Sequence, residues 1–255
     1  MMDDERRAVD EGRRRIVAGG LWSIISLAGA GPIKGMWKGL KTEAENVIEA
    51  HYTAKDVAAT ELDHEEWSRA RAVRLTRYWS GKPAPAERHA EARMLWSPEA
   101  LSVRFVCQQH EPLVVSPQPQ TASKTMGLWD RDVCEIFIAP DVRRPEHYFE
   151  FEAAPTGEWI DLSIKWRPRQ RETDWNFHSG MTNGARIAQG SVTVSIRVPW
   201  QALGGRPQAG ARWRTNLFRI VGAGEGRGYL TWQPTRTRQP NFHVPKAFGW
   251  ISFKG

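Results

Sequence analysis

The sequence predicts an all-β protein, an antiparallel β-sandwich of the jelly-roll or immunoglobulin-like kind preceded by an N-terminal helical segment. Three observations carry this reading. Apolar and polar residues alternate in many short runs, Gly- and Pro-rich turns separate those runs, and helical periodicity is almost absent from residue 50 onward. The chain has 255 residues, 40% of them hydrophobic, so it can bury a sizeable core, and it contains no internal repeat. Two parts follow: an N-terminal portion over 1–49 and a β-sandwich module over 50–255.

The N-terminal portion opens with residues 1–15, which balance acids and bases and read as a polar helix or a frayed tail. Residues 16–33, IVAGGLWSIISLAGAGPI, are uncharged and apolar and follow Arg13, Arg14 and Arg15. Ala28-Gly29-Ala30 resembles a small-residue cleavage site. Three readings stand: a signal peptide, a short membrane anchor, or an amphipathic helix continued by Lys34, Trp37, Lys38 and Lys41. The expectation is membrane contact through 16–41, with export or membrane association preferred to a cytoplasmic location. Residues 42–49 read as a helix-prone charged connector.

In the module, 73–79 alternates as a strand, and GKPAPA at 81–86 is a Pro-rich loop. Residues 90–96 and 101–108 flank Ser97-Pro98-Glu99-Ala100 as a hairpin. Residues 111–126 hold Pro112, Pro117 and Pro119 and form a long irregular loop, of a length that often serves function. Val133, Glu135 and Phe137 alternate with Cys134, Ile136 and Ile138, the period of two of a strand, until Pro140 and Asp141 stop it. Residues 148–153 alternate again, Pro155-Thr156-Gly157 supplies a turn, and 158–164 returns. A basic, polar stretch, RPRQRETDW, then precedes further strands at 191–198, 212–221, 229–232 and 248–253, with a short helical turn at 199–203.

Composition excludes several function classes. The net charge of +7 permits an anionic partner, but the cations are dispersed among acids and no basic block with interleaved aromatics reads as a nucleic-acid motif. Cys107 and Cys134 fit no metal spacing and no disulfide-rich scaffold; both fall in predicted strands, as buried thiols or as a cross-strand disulfide. There is no G-x-S-x-G and no metal-spaced histidine cluster. Asp132, Glu135, Glu150, Glu152 and Asp161 supply acids enough for glycoside hydrolysis, yet strand alternation accounts for them equally well. Thirteen tryptophans are unusually many; buried they fill a sandwich core, and exposed they grip flat apolar faces such as those of sugar rings.

One stretch carries a resemblance. Trp129, Asp132 and Glu135 stand in W-x-x-D-x-x-E-I-F-I, followed by Y-F-E-F-E at 148–152 and the glycine turn, and later by WRTNLFRI, LTWQP and FHVPKAFGWISF. In that order they resemble the family 9 carbohydrate-binding modules and their DOMON-like relatives, over about 52–253 of the chain. The resemblance implies a sugar held between two aromatic side chains. Trp129 matches one, and Phe242 falls at the second, where the best-known modules carry Trp. Glu135 matches a carboxylate that hydrogen-bonds the sugar, and Gln239 sits where some relatives carry Asn. Glu150 stands where sugar-binding relatives place a basic residue, a departure that bears on the ligand. Asn216 and Arg219 match recurrent positions as core hydrogen-bonders or site-lining groups, Arg219 being read as structural and paired with Glu150 or Glu152. His243 offers a partner to a sugar hydroxyl. No cofactor is implied; calcium at a loop carboxylate is compatible with such a sandwich, without a loop signature to locate it. The resulting expectation is non-catalytic binding of a sugar or oligosaccharide, in carbohydrate catabolism. Its rivals are an envelope-associated protein-interaction scaffold and, third, a glycoside hydrolase.

Overall fold

The computed structural model describes residues 46–168 and 170–255. The apolar run 16–33, and the membrane contact read from 16–41, lie outside the described residues. Among the described residues no helix is long and apolar enough to cross a membrane.

The described residues form fourteen strands. In chain order the first are β1 (Val47–Tyr52), β2 (Val73–Leu75), β3 (Arg77–Tyr78), β4 (Ala90–Trp96), β5 (Ala100–Gln108), β6 (Val133–Ala139) and β7 (His147–Ala153). The second half holds β8 (Trp159–Arg167), β9 (Gln170–Asp174), β10 (Thr182–Ala188), β11 (Ser191–Pro199), β12 (Arg212–Val221), β13 (Gly228–Thr231) and β14 (Gly249–Phe253). The one α-helix among the described residues, α1 (Glu66–Arg69), buries Trp67 against Val57, Ala70 and Leu95.

All-β is therefore the class, but the two sheets expected of a sandwich are joined. The strands form one sheet in the order β10-β11-β5-β4-β1-β14-β12-β6-β7-β8-β9, with β2, β3 and β13 off this path. The sheet is mixed and not purely antiparallel, because β1 runs parallel to both β14 and β4. Residues 47–49, read from sequence as the end of a helix-prone connector, are the start of this central strand, and Ile48 and Ala50 are fully buried in it. Alternation along one strand states which residues face a core; it is silent on the partner and on its direction.

The sheet curls so that β11 comes to face β7, and the two halves enclose one core. Phe105, Val194 and Ile196 enter it from one side and Ile136, Phe151 and Leu217 from the other. Tyr52, Trp96, Trp200 and Phe253 add a cluster of edge-to-face rings at centroid separations of 5.0–6.5 Å, which places several of the tryptophans in the core. Cys107 and Cys134 are free, buried thiols whose sulfurs lie 3.6 Å apart across this core.

The opposite face of β12, β6, β7 and β8 carries a second apolar layer. Phe137, Tyr148, Phe218 and Ile160 lie on it, covered by Phe242 and Phe248 from residues 232–248. Three buried glutamates share that face.

Candidate functional site

The site begins with strand register. β6 and β7 pair antiparallel with Glu135 opposite Glu152 and Phe137 opposite Glu150, so the three glutamates project from one face of two neighbouring strands. All three are almost fully buried, and one carboxylate oxygen from each lies within 4.8 Å of the others. Phe137 and Phe218 flank the group along the same face, Phe218 standing opposite Glu135 in the β12 ladder.

Burial governs the chemistry of this floor. It raises the Glu135 and Glu152 carboxyls well above the usual range, and the mutual repulsion of the acids adds to it. Glu150 is raised to about 6 by burial, with neighbouring Glu152 and the Arg171 guanidinium opposing the rise. Glu135 Oε1, Glu150 Oε2 and both oxygens of Glu152 have no hydrogen-bond donor among the described residues. While it keeps its proton, such a carboxyl donates as well as accepts, as between Glu150 and Glu152, and once ionised it only accepts.

Above them lies a cavity of about 300 Å³. Trp129 and Asp130 line it from the turn before β6, Arg171 and Thr173 from β9, Trp175 from the segment after β9, and Tyr229 from β13. Pro240, Asn241, Phe242 and His243 complete the wall from the covering segment. Trp129 is half-buried and lies 6.1 Å from Trp175, the planes tilted by 45°. Trp175 is 43% exposed, an apolar surface on the rim of a polar-floored cavity.

The turn that presents Trp129 is held from three sides. Gly127 enters it with φ of +73°, a conformation that costs a residue with a side chain more than glycine. Arg227 donates hydrogen bonds to the carbonyls of Trp129 (2.7 Å) and Arg131 (2.9 Å). Asp132 accepts from the backbone amides of Val114 and Gly222, tying the turn to its neighbours. Trp175 is held through its backbone: Lys124 pairs with buried Asp161 at 2.7 Å and donates to the carbonyls of Trp175 and Phe177. The long Pro-containing loop thus contributes no residue to the cavity lining and works as its strut.

His243 is fixed by a relay. Trp166 Nε1 donates to the Tyr148 hydroxyl (3.3 Å), which lies 2.9 Å from His243 Nδ1. Burial, then Arg171, lowers His243 to about 3, so the ring is neutral. Indole is a donor only, so the Tyr148 oxygen accepts from Trp166, and the tautomer of the neutral His243 sets whether the phenol donates to Nδ1 or accepts from it.

Of the residues that sequence reasoning selects, Trp129, Glu135, Glu150, Phe242 and His243 all line this one cavity. Phe242 stacks on Phe218 at 4.1 Å with planes 12° apart, so one of its faces is occupied. Gln239 and Asn216 are not among the lining residues. Gln239 is exposed and its carbonyl accepts from Thr237, whereas fully buried Asn216 bonds the backbone of Leu217 and Gln233. Arg219 does not pair with Glu150 or Glu152. It stands opposite Cys134, on the other face of the strand from Phe218, and donates to the carbonyls of Arg88 and His89 and to Gln109 Oε1.

Sequence reasoning misses Arg171, Thr173 and Trp175. They form an i, i+2, i+4 set in RPRQRETDW, but no apolar alternation marks β9 as a strand.

No curated protein sequence is a significant match to the chain. Among solved structures, a candidate carbohydrate-binding protein from Bacteroides uniformis superposes with a TM-score of 0.66 at 15% identity, over 82% of this chain and 99% of that one. A family 9 carbohydrate-binding module from Caldicellulosiruptor kristjanssonii, solved with glucose, gives 0.58 at 15% identity over 82% and 96% of the two chains. The module from that organism solved with cellotriose gives 0.58 at 16% identity over 82% and 94%. These similarities establish the fold. The model of the "Carbohydrate family 9 binding domain-like" family matches residues 59–255, most of the described sheet and all of the residues that line the cavity, and the chain belongs to that family.

Proposed function

We propose that the cavity between Trp129, Trp175 and the 240–243 segment binds one sugar unit, without chemical change, at the end of or within an oligosaccharide. The observation that carries this reading is the composition of a single 300 Å³ cavity in a family 9-like domain: aromatic walls over a floor of buried acceptors. A pyranose has an apolar C–H face that stacks on indole or phenol and hydroxyls that need partners. Trp129, Trp175 and Tyr229 serve the first; Glu135, Glu150, Asn241 and the His243 ring serve the second. The relatives solved with glucose and cellotriose support a sugar as the ligand class. A role in carbohydrate catabolism, and an extracellular or membrane-associated setting, belong to the same proposal.

Glutamates disposed for hydrolysis flank a bond from two sides, one as acid and one as base or nucleophile. Here the three sit side by side on adjacent strands, on one face beneath the cavity.

The test is calorimetric titration of the full chain with mono- and oligosaccharides, beside Trp129→Ala. A millimolar affinity, about −4 kcal/mol, is expected for the wild type. Loss of binding in a Trp129→Ala variant with unchanged circular dichroism supports the reading. Absence of binding to every sugar at millimolar concentration overturns it, in favour of a scaffold that meets a protein partner.

A further inference from the structure

The charge of the cavity runs against the charge of the molecule. The chain carries a net +7, yet Asp130, Glu135, Glu150 and Glu152 line the cavity against a single guanidinium among the described residues, that of Arg171. His243 adds no charge to the balance, being held neutral. A neutral sugar would ask for mixed donors and acceptors; this floor is almost wholly acceptor once the acids ionise.

The geometry narrows the partner. Three acceptors can share one ammonium nitrogen, each at about 2.8 Å, only where they lie no more than about 5 Å from one another. The glutamate oxygens here lie within 4.8 Å of one another. Four oxygens of the trio are buried without a donor among the described residues, and Glu152 is fully enclosed with both of its oxygens so placed. Left alone, such buried carboxyls keep their protons; a cation that supplies three N–H donors at one point lets them ionise and satisfies all three glutamates together.

We infer that the cavity selects a sugar unit bearing a free, protonated amine, which seats among Glu135, Glu150 and Glu152 while the ring packs against Trp129 and Trp175. The inference rests on the sugar-binding reading and deepens it from a sugar to an amino sugar. The cavity holds both parts of such a ligand's site: an aromatic rim for the ring and an anionic floor for the amine. Acetylation of the amine removes the charge and two of its three donors, and adds bulk where the floor is closest.

The experiment is calorimetric titration of the full chain at pH 7 with glucosamine, glucose and N-acetylglucosamine, each with and without a divalent-metal chelator, repeated on Glu152→Gln. Glucosamine binding at least tenfold more tightly than the other two, indifferent to chelator, is the expected result. In Glu152→Gln the preference for glucosamine over glucose falls at least fivefold, a selectivity ratio that a general loss of folding would not produce. Equal binding of glucose and glucosamine overturns the amine assignment and leaves the sugar-binding reading standing. Binding that requires a divalent ion also overturns it, in favour of a metal held by the glutamates. If none of the three sugars binds, and neither do oligomers of glucose or glucosamine, the sugar-binding reading falls with it.

Discussion

Asn216 ties two segments together with a single amide. Its Oδ1 accepts from the backbone amides of Leu217 and Gln233, and its Nδ2 donates to the Gln233 carbonyl, all inside the protein. Removing it leaves those groups without water or a partner, and buried polar groups so stranded cost about 1–3 kcal/mol each before relaxation. Asn216→Ala is therefore expected to lower stability by about 2–4 kcal/mol, read as a shift of the urea midpoint at constant slope. Asn216 and Glu135 look alike in the sequence, each a polar residue within an apolar strand. Their neighbours separate them: Asn216 is satisfied by backbone, whereas Glu135 faces the cavity with an oxygen that receives no donor among the described residues.

At the scale of elements, the cavity depends on turns and on a polar edge strand. The 128–130 turn would place Trp129 poorly without Arg227, whose guanidinium bonds the Trp129, Arg131 and Gly222 carbonyls. Arg227→Gln cannot span three carbonyls, and sugar affinity is expected to fall about tenfold, roughly 1.4 kcal/mol, in the calorimetric titration. An unchanged affinity would mean the turn is held without Arg227. β6 and β7 are legible in the sequence, because one face of each is apolar throughout and alternation shows it. β9 is not. Its residues are exposed on most sides, so burial leaves no mark on its sequence, and pairing with β8 alone makes it a strand.

For the whole molecule, the buried glutamates set how stability varies with pH. Glu135, Glu150 and Glu152 hold their protons to higher pH folded than unfolded, because burial disfavours their charge. The folded state then binds more protons than the unfolded one between about pH 4.5 and the raised values, and stability falls as pH rises through that window. Asp130, Cys134, Tyr148, Arg171, Arg227, Tyr229 and neutral His243 are ionisable groups around the cluster, and the two arginines moderate the fall. Thermal unfolding is expected to show a lower midpoint at pH 8 than at pH 5.5, with the difference reduced in Glu152→Gln. A midpoint that rises over that interval would mean the glutamates are charged in the folded state.

Local sequence is sufficient for the all-β class, most strand positions, the Pro155-Thr156-Gly157 turn, and five residues of one cavity, Trp129, Glu135, Glu150, Phe242 and His243. Alternation, turn chemistry and the order of motifs are all properties of the chain read along its length. Other features exist only once distant strands have met. β1 joins both halves of the sheet in parallel, Arg219 turns away from the glutamates, and Trp175 meets Trp129. Each depends on which strands pair, in which direction and in which register. Hydrogen bonds between distant segments fix those choices, and no stretch of sequence contains both partners.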